Sequence, residues 1–253
     1  MSNQNSMIQK QLNHRTIREF KNESIPQEMF EQLMEVARRT PTANGMQAST
    51  IIRVTDPDKK KEIAAVCKQE YVARAPELLI FVADQYKNYK IAEEKDCHES
   101  SARDMDRFFS AFTDACLTAQ NIVNAAESMD LGAVFLGSVL NDAEKIIEIL
   151  ELPKLTMPVV GMGLGYPNQN PQLKPRMEMD LRLFENTYKQ FDDYLGEIKE
   201  YDKEMQTYYD LREANKRVDC FSDQVVTRLK NTIPKRSDML NIMKKQGFDL
   251  NIN

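Results

Sequence analysis

Gly161-Met162-Gly163-Leu164-Gly165-Tyr166-Pro167-Asn168-Gln169-Asn170-Pro171 is the stretch on which the fold turns. Its G-x-G-x-G spacing invites a doubly wound dinucleotide-binding reading, in which a glycine turn opens a helix whose N-terminus meets a pyrophosphate. Pro167 and Pro171 exclude that geometry, because they forbid a helix immediately after the glycines. Glycines two apart instead share one face of a strand, where missing side chains let another backbone or a helix pack closely. Gly161 and Gly163 fit this reading, and Gly165 is expected to set the turn into the following loop. The chain has only 8 glycines, and Gly132, Gly137, Gly161, Gly163 and Gly165 fall in two short stretches. A residue this scarce and this concentrated marks backbone that turns sharply or approaches a ligand.

Outward from this strand, which begins near residue 157, the pattern alternates. Residues 48–54 are β-branched, 78–83 are wholly apolar and therefore read as a central strand, and 133–136 form another. Helices are expected over 3–13, from Pro26, from Asp56-Pro57 and over 142–150, with Phe30, Leu33, Met34 and Ala37 at helical spacing. Residues 101–130 read as one long helix. Met105, Phe108, Phe109, Phe112, Cys116, Ala119, Ile122, Val123 and Ala126 keep a 3.6-residue rhythm, and Gly132 is read as its stop. So broad an apolar surface is buried on several sides, as the spine of a core or the seam of a dimer. After Arg176 the chain becomes charged and tyrosine-rich, and Ser222 and Ser237 read as N-caps of two final helices. The fold class is α+β. One domain spans 1–253, with a core to about residue 185 and a helical C-terminal extension from about 186 to 253.

Composition narrows the function. A net charge of −5 argues against nucleic-acid binding, and no apolar run approaches the length of a membrane span. Residues 1–11 lack the apolar core of a signal peptide, and the cysteines Cys67, Cys97, Cys116 and Cys220 form no CxxC pair. A cytoplasmic protein with free thiols is expected. His14 and His98 have no ligand-like spacing, so no metal site is expected, and His98 reads as a surface residue. No GxSxG motif exists, no cysteine has a histidine at motif spacing, and no carboxylate is read as interrupting an apolar element suggestively.

Two cationic segments remain, His14-Arg15-Thr16-Ile17-Arg18-Glu19-Phe20 and Lys174-Pro175-Arg176. Each alone is explained by a helix end or a solvated turn. Their co-occurrence with the polar loop Thr42-Ala43-Asn44-Gly45-Met46-Gln47-Ala48-Ser49 suggests a site for one phosphate and one planar polar ring system, since arginine's fork suits phosphate and lysine's point charge suits a developing anion.

These segments, with KQEYVARAPELLIFVAD, AAESMDLGAVFLGS, GLGYPNQNPQLKPRM and ENTY in that order, resemble the nitroreductase family of FMN enzymes. The similarity runs from about His14 to Phe248 and is greatest to the NADPH-preferring nitroreductase A and flavin reductase P subgroup. The resemblance implies a mainly antiparallel sheet flanked by helices and a homodimer with the long helix at its interface. It implies FMN as cofactor and NADPH as electron donor. By matching position, His14, Arg15, Thr16 and Arg176 would hold the FMN phosphate. Arg18 and Lys174 would face the pyrimidine side of the ring, and Gln47, Ser49 and Gln69 would hydrogen-bond the ring or ribityl chain. Backbone around Gly137 would approach N5. Leu211-Arg212-Glu213-Ala214-Asn215-Lys216-Arg217 resembles the subgroup's nucleotide segment, with Arg212 and Arg217 for the 2′-phosphate. One departure is Gly137-Ser138-Val139-Leu140, where the subgroup often carries Gly-Gly-Leu-Arg.

The implied activity is an NAD(P)H-dependent FMN oxidoreductase with no catalytic side chain, its chemistry on the flavin tuned by Arg18 and Lys174. Small-molecule acceptors (nitroaromatics, quinones, azo compounds or flavins) would be reduced by ping-pong two-electron transfer. Two alternatives remain, a flavin reductase releasing free reduced FMN and a non-catalytic flavin sensor.

Overall fold

The computed structural model describes residues 6–98, 100–210, 216–217 and 219–250. Two compact units emerge: residues 1–169 together with 233–253, and residues 170–232.

In the first unit, β1 (Ser49–Arg53), β2 (Glu77–Asp84), β3 (Gly132–Leu136) and β4 (Thr156–Gly165) form one antiparallel sheet in the order β1-β2-β4-β3. The α-helices before residue 170 in this unit are α1 (Ser6–Leu12), α2 (Gln27–Arg38), α3 (Pro57–Cys67), α4 (Tyr71–Arg74), α5 (Tyr86–Glu93), α6 (Met105–Ser128) and α7 (Ala143–Ile149). Every residue of β2 is buried, as its apolar stretch 78–83 between two helical layers must be, with Glu77 and Asp84 at its ends. Its alternation divides the core. Leu79, Phe81 and Ala83 join Met157, Met162 and Leu164 of β4 against α6 and α2. Leu78, Ile80 and Val82 face the other way, with Val134 and Leu136, toward Ile63 of α3 and Ile146 of α7.

Two glycine expectations are corrected. Gly165 does not turn the chain but ends β4, paired with Gly132. A Cβ on Gly165 would lie 2.7 Å from Pro76 Cγ, so close packing is what requires glycine there. Gly132 does not stop the long helix; it opens β3, and Ile17 leaves no room for a side chain. The stop is Asp130, in the left-handed region at φ 61°. Asp130 N donates to Glu127 O (3.2 Å) and Leu131 N to Ala126 O (3.0 Å), the paired bonds of a Schellman turn, with a short polar side chain in the place glycine usually takes.

On α6, Phe108 is buried in its own chain, edge-to-face with Phe248 at 5.0 Å. Phe109, Phe112 and Leu117 are exposed at 60%, 36% and 47%. The helix therefore divides the two roles its breadth suggested, one stripe in the core and another uncovered.

The second unit contains α8 (Tyr194–Glu197), α9 (Lys199–Thr207), the two-residue strands β5 (Tyr209–Asp210) and β6 (Lys216–Arg217), and α10 (Phe221–Lys230). The described residues of 186–217 are thus less helical than their charged, helix-forming composition suggests. Cys220, not Ser222, is the cap position of α10, and Ser222 within the first turn is tied to α9 through Asp202, which accepts from Ser222 N (3.0 Å) and Oγ (2.6 Å). The chain returns to the first unit with α11 (Pro234–Ser237) and α12 (Met239–Lys245), so Ser237 ends a helix and Asp238 is the cap position of the next. Gly247 follows α12 with φ +92°, where glycine is at home.

Candidate functional site

The cationic N-terminal segment covers the outer edge of β3. Ile17 N donates to Ala133 O at 2.9 Å, Thr16 bridges to Ala133 in parallel, and Phe20 bridges to Pro167. Asn168 N donates to Glu19 O at 2.9 Å and Gln169 Nε2 to Thr16 O at 3.4 Å. Backbone pairing thus fixes the register of residues 14–20 and leaves their side chains to project. His14, Thr16 and Arg18 line one small cleft, about 120 Å³, with Val123, Ala133 and Phe135.

Arg15 carries the sharpest signal. Its Nε is the one buried side-chain polar atom without a partner among the described residues, while its Nη1 reaches Asn13 O at 3.3 Å. An orphaned guanidinium N–H costs free energy unless an acceptor fills its position, and an anion is the natural acceptor. His14 is pinned by its Nδ1 to the carboxylate of Glu127 on α6, at 2.5 Å.

Gln47 and Ser49 stand on a strained loop. Asn44, Gly45 and Gln47 all have positive φ (51°, 69° and 48°), and such clusters persist only where surrounding structure over-determines them. The restraint here is Asp114, 1% exposed in the middle of α6, whose carboxylate accepts from Ala43 N (2.8 Å) and Ala48 N (3.2 Å). This corrects the expectation that no carboxylate interrupts an apolar element tellingly. Thr113-Asp114-Ala115 breaks the most apolar helix of the chain, and that break was the available signal. Gln47 itself is exposed, and Ser49 opens β1 half-buried.

On the opposite layer, Gln69 follows α3, where Lys68 adopts φ 54° and Gln69 N donates to Ala64 O. Its Oε1 accepts from Ser138 Oγ at 2.9 Å. Gly137 is exposed, and a Cβ added there would meet nothing within 4 Å, so its backbone faces open space.

Lys174 and Arg176 belong to the second unit, both exposed, with Arg176 Nη1 donating to the carbonyls of Lys174 and Pro175 at 3.1 Å. Arg212 lies outside the described residues. The backbone of Arg217 pairs with Tyr209 in the β5–β6 ribbon.

Residues 12–166 match the Nitroreductase family and residues 174–251 the Nitroreductase family, C-terminal domain. The chain belongs to the nitroreductase family. Among its relatives, the FMN reductase (NADPH) of Bacillus subtilis is 34% identical over 250 residues, covering 98% of this chain and 100% of the relative. The NADPH-dependent oxidoreductase of Staphylococcus saprophyticus is 38% identical over 240 residues, covering 93% of this chain and 95% of the relative. The solved structure of the NADPH:FMN oxidoreductase from Vibrio harveyi complexed with NAD+ superposes with a TM-score of 0.86 at 31% identity, covering 96% of this chain and 99% of that one. The nitroreductase fold accounts for the antiparallel sheet and the long α6.

Single groups suit parts of a flavin mononucleotide: an unsatisfied buried arginine N–H suits its phosphate and open backbone at Gly137 admits a flat ring, whereas Gln47 and Ser49 stand at β1, the opposite edge of the sheet from the Arg15 segment.

Proposed function

We propose that this chain is an FMN-dependent oxidoreductase that oxidises NADPH and reduces small organic acceptors (nitroaromatics, quinones, azo compounds or flavins) by two-electron, ping-pong transfer. The observation that carries this reading is the nearly full-length agreement with relatives named as NADPH-dependent FMN reductases and oxidoreductases. When bound, FMN would supply the redox chemistry between donor and acceptor.

The protein's part is binding, orientation and charge. Arg15 and Arg176 bind the phosphate through charge-assisted hydrogen bonds, with Thr16 and His14 alongside. The Glu127 carboxylate holds the His14 ring through Nδ1 and leaves Nε2 as its other hydrogen-bonding position. Arg18 and Lys174 set positive charge against the negative charge that reduction builds on the pyrimidine side. Gln47, Ser49 and Gln69 hydrogen-bond the ring or ribityl chain. Arg212 and Arg217 read the donor's 2′-phosphate.

The same proposal includes a homodimer built on α6, supported by the uncovered Phe109, Phe112 and Leu117, since a stripe of large apolar side chains in water favours a partner. It also places the protein in the cytoplasm, supported by the free cysteines Cys67, Cys97, Cys116 and Cys220. No helix among the described residues is long and apolar enough to cross a membrane.

Anaerobic titration of the purified protein with NADPH tests the reading. A yellow protein that bleaches with one equivalent of NADPH per flavin, and recovers its colour on addition of a nitroaromatic or quinone, is the expected result. Colour that NADPH leaves untouched overturns it.

A further inference from the structure

Ser138 stands where the nitroreductase A and flavin reductase P subgroup often has glycine, so its hydroxyl adds something that the shared site does not need. That hydroxyl is half-buried and donates to Gln69 Oε1 at 2.9 Å, joining the turn after β3 to the C-terminal end of α3. The two segments are tied again by Asn141 Nδ2, which donates to Val66 O at 3.4 Å. Gln69 is held at both backbone groups, its N–H on Ala64 O and its C=O on Val72 N, each at 3.1 Å. Only its side-chain amide has freedom left.

A glutamine amide can present either end. With its oxygen engaged it shows NH2 to the site; flipped, it shows C=O. Here Oε1 is the engaged end, accepting from Ser138 Oγ, which leaves the NH2 as the group the amide has to offer.

We propose that Ser138 is a positioning residue that locks the Gln69 amide with its oxygen inward, so that the site offers an N–H donor beside Gly137. The ligand this suits is an electron-rich carbonyl or ring nitrogen, as on the edge of a flavin ring. The inference rests on the FMN reading for its ligand but not for the lock itself.

Two measurements separate these. In the apoprotein, the side-chain NH2 of Gln69, assigned by loss of its resonances in Gln69→Ala, should give one sharp pair of 15N–1H signals in the wild type. In Ser138→Ala and Ser138→Gly the pair should broaden or double, and in Ser138→Thr, which keeps a hydroxyl, it should stay sharp. In the FMN-loaded protein, Ser138→Ala should make two-electron reduction of the flavin about tenfold less favourable, equivalent to a midpoint potential about 30 mV lower. That shift should vanish in a Gln69→Ala background, because Ser138 acts through Gln69. Unchanged Gln69 signals in Ser138→Ala, or a potential shift that persists without Gln69, overturns the proposal. A wild type that binds no FMN removes the flavin reading alone, and the apoprotein signals still decide the lock.

Discussion

At the scale of single residues, the site is defined by groups that are unsatisfied or over-constrained. Arg15 Nε has given up water without gaining a protein acceptor, which is tolerable only if a ligand completes it. Arg15→Ala and Arg176→Ala should each weaken FMN binding by about 1.5–3 kcal/mol, the usual worth of a hydrogen bond to a charged group, and fluorescence titration of the apoprotein with FMN measures it. Unchanged affinity in both variants removes the phosphate assignment. Asp114 is the opposite case, a buried carboxylate with both oxygens engaged on backbone N–H groups. Asp114→Asn can satisfy Ala43 N or Ala48 N but turns an NH2 toward the other. We expect about 1–3 kcal/mol lost in urea unfolding, together with poorer FMN binding because the Gln47 loop loses its brace. Full retention of both would show that the loop holds its own shape.

At the scale of elements, α6 is where packing and assembly meet. Its buried stripe, including Phe108, Ala111, Ala115, Ala119 and Ile122, is continuous with the sheet core. The stripe bearing Phe109, Phe112 and Leu117 is not. Phe112 is exposed although its ring lies 6.1 Å from that of Phe108, so Phe112→Asp should give a folded protein that sediments as a monomer where the wild type is a dimer. A wild type that stays monomeric at micromolar concentration removes the dimer, and a dimer unaffected by Phe112→Asp moves its seam elsewhere. Helical periodicity shows that this helix is apolar on several sides. It does not show which stripe is covered by the chain's own sheet, since Phe108, Phe109 and Phe112 are the same residue type and only their angular position against β2 and β4 distinguishes them.

At the scale of the whole molecule, the proposed function gives donor selectivity to a segment of the second unit's sequence and flavin binding largely to the first unit. Arg212 and Arg217 should therefore be separable from the cofactor site. Arg212→Ala and Arg217→Ala are expected to raise KM for NADPH far more than for NADH, with FMN content unchanged, because only NADPH carries the 2′-phosphate that an arginine fork recognises. Steady-state kinetics with both donors checks this. Equal use of the two donors by the wild type, or equal slowing of both in the variants, means the segment does not read the phosphate.

Local rules were enough for the layout of this protein. Pro167 and Pro171 block a helix after the glycines, the unbroken apolar run of β2 requires cover on both faces, and Pro57 and Pro26 mark helix starts; each constraint acts within a few residues. The cationic segment around Arg15 was legible for the same reason, as its chemistry is written in adjacent side chains. Tertiary structure alone decided what each group touches. Asp114 reaches Ala43 across 71 residues, His14 meets Glu127 across 113, and Ser138 finds Gln69 across 69. It also decided that Asp130, and not Gly132, stops α6, because Ile17 occupies the space beside Gly132. A residue's type carries its donors, acceptors and shape, but the partner that satisfies them is chosen by packing between segments far apart in the chain.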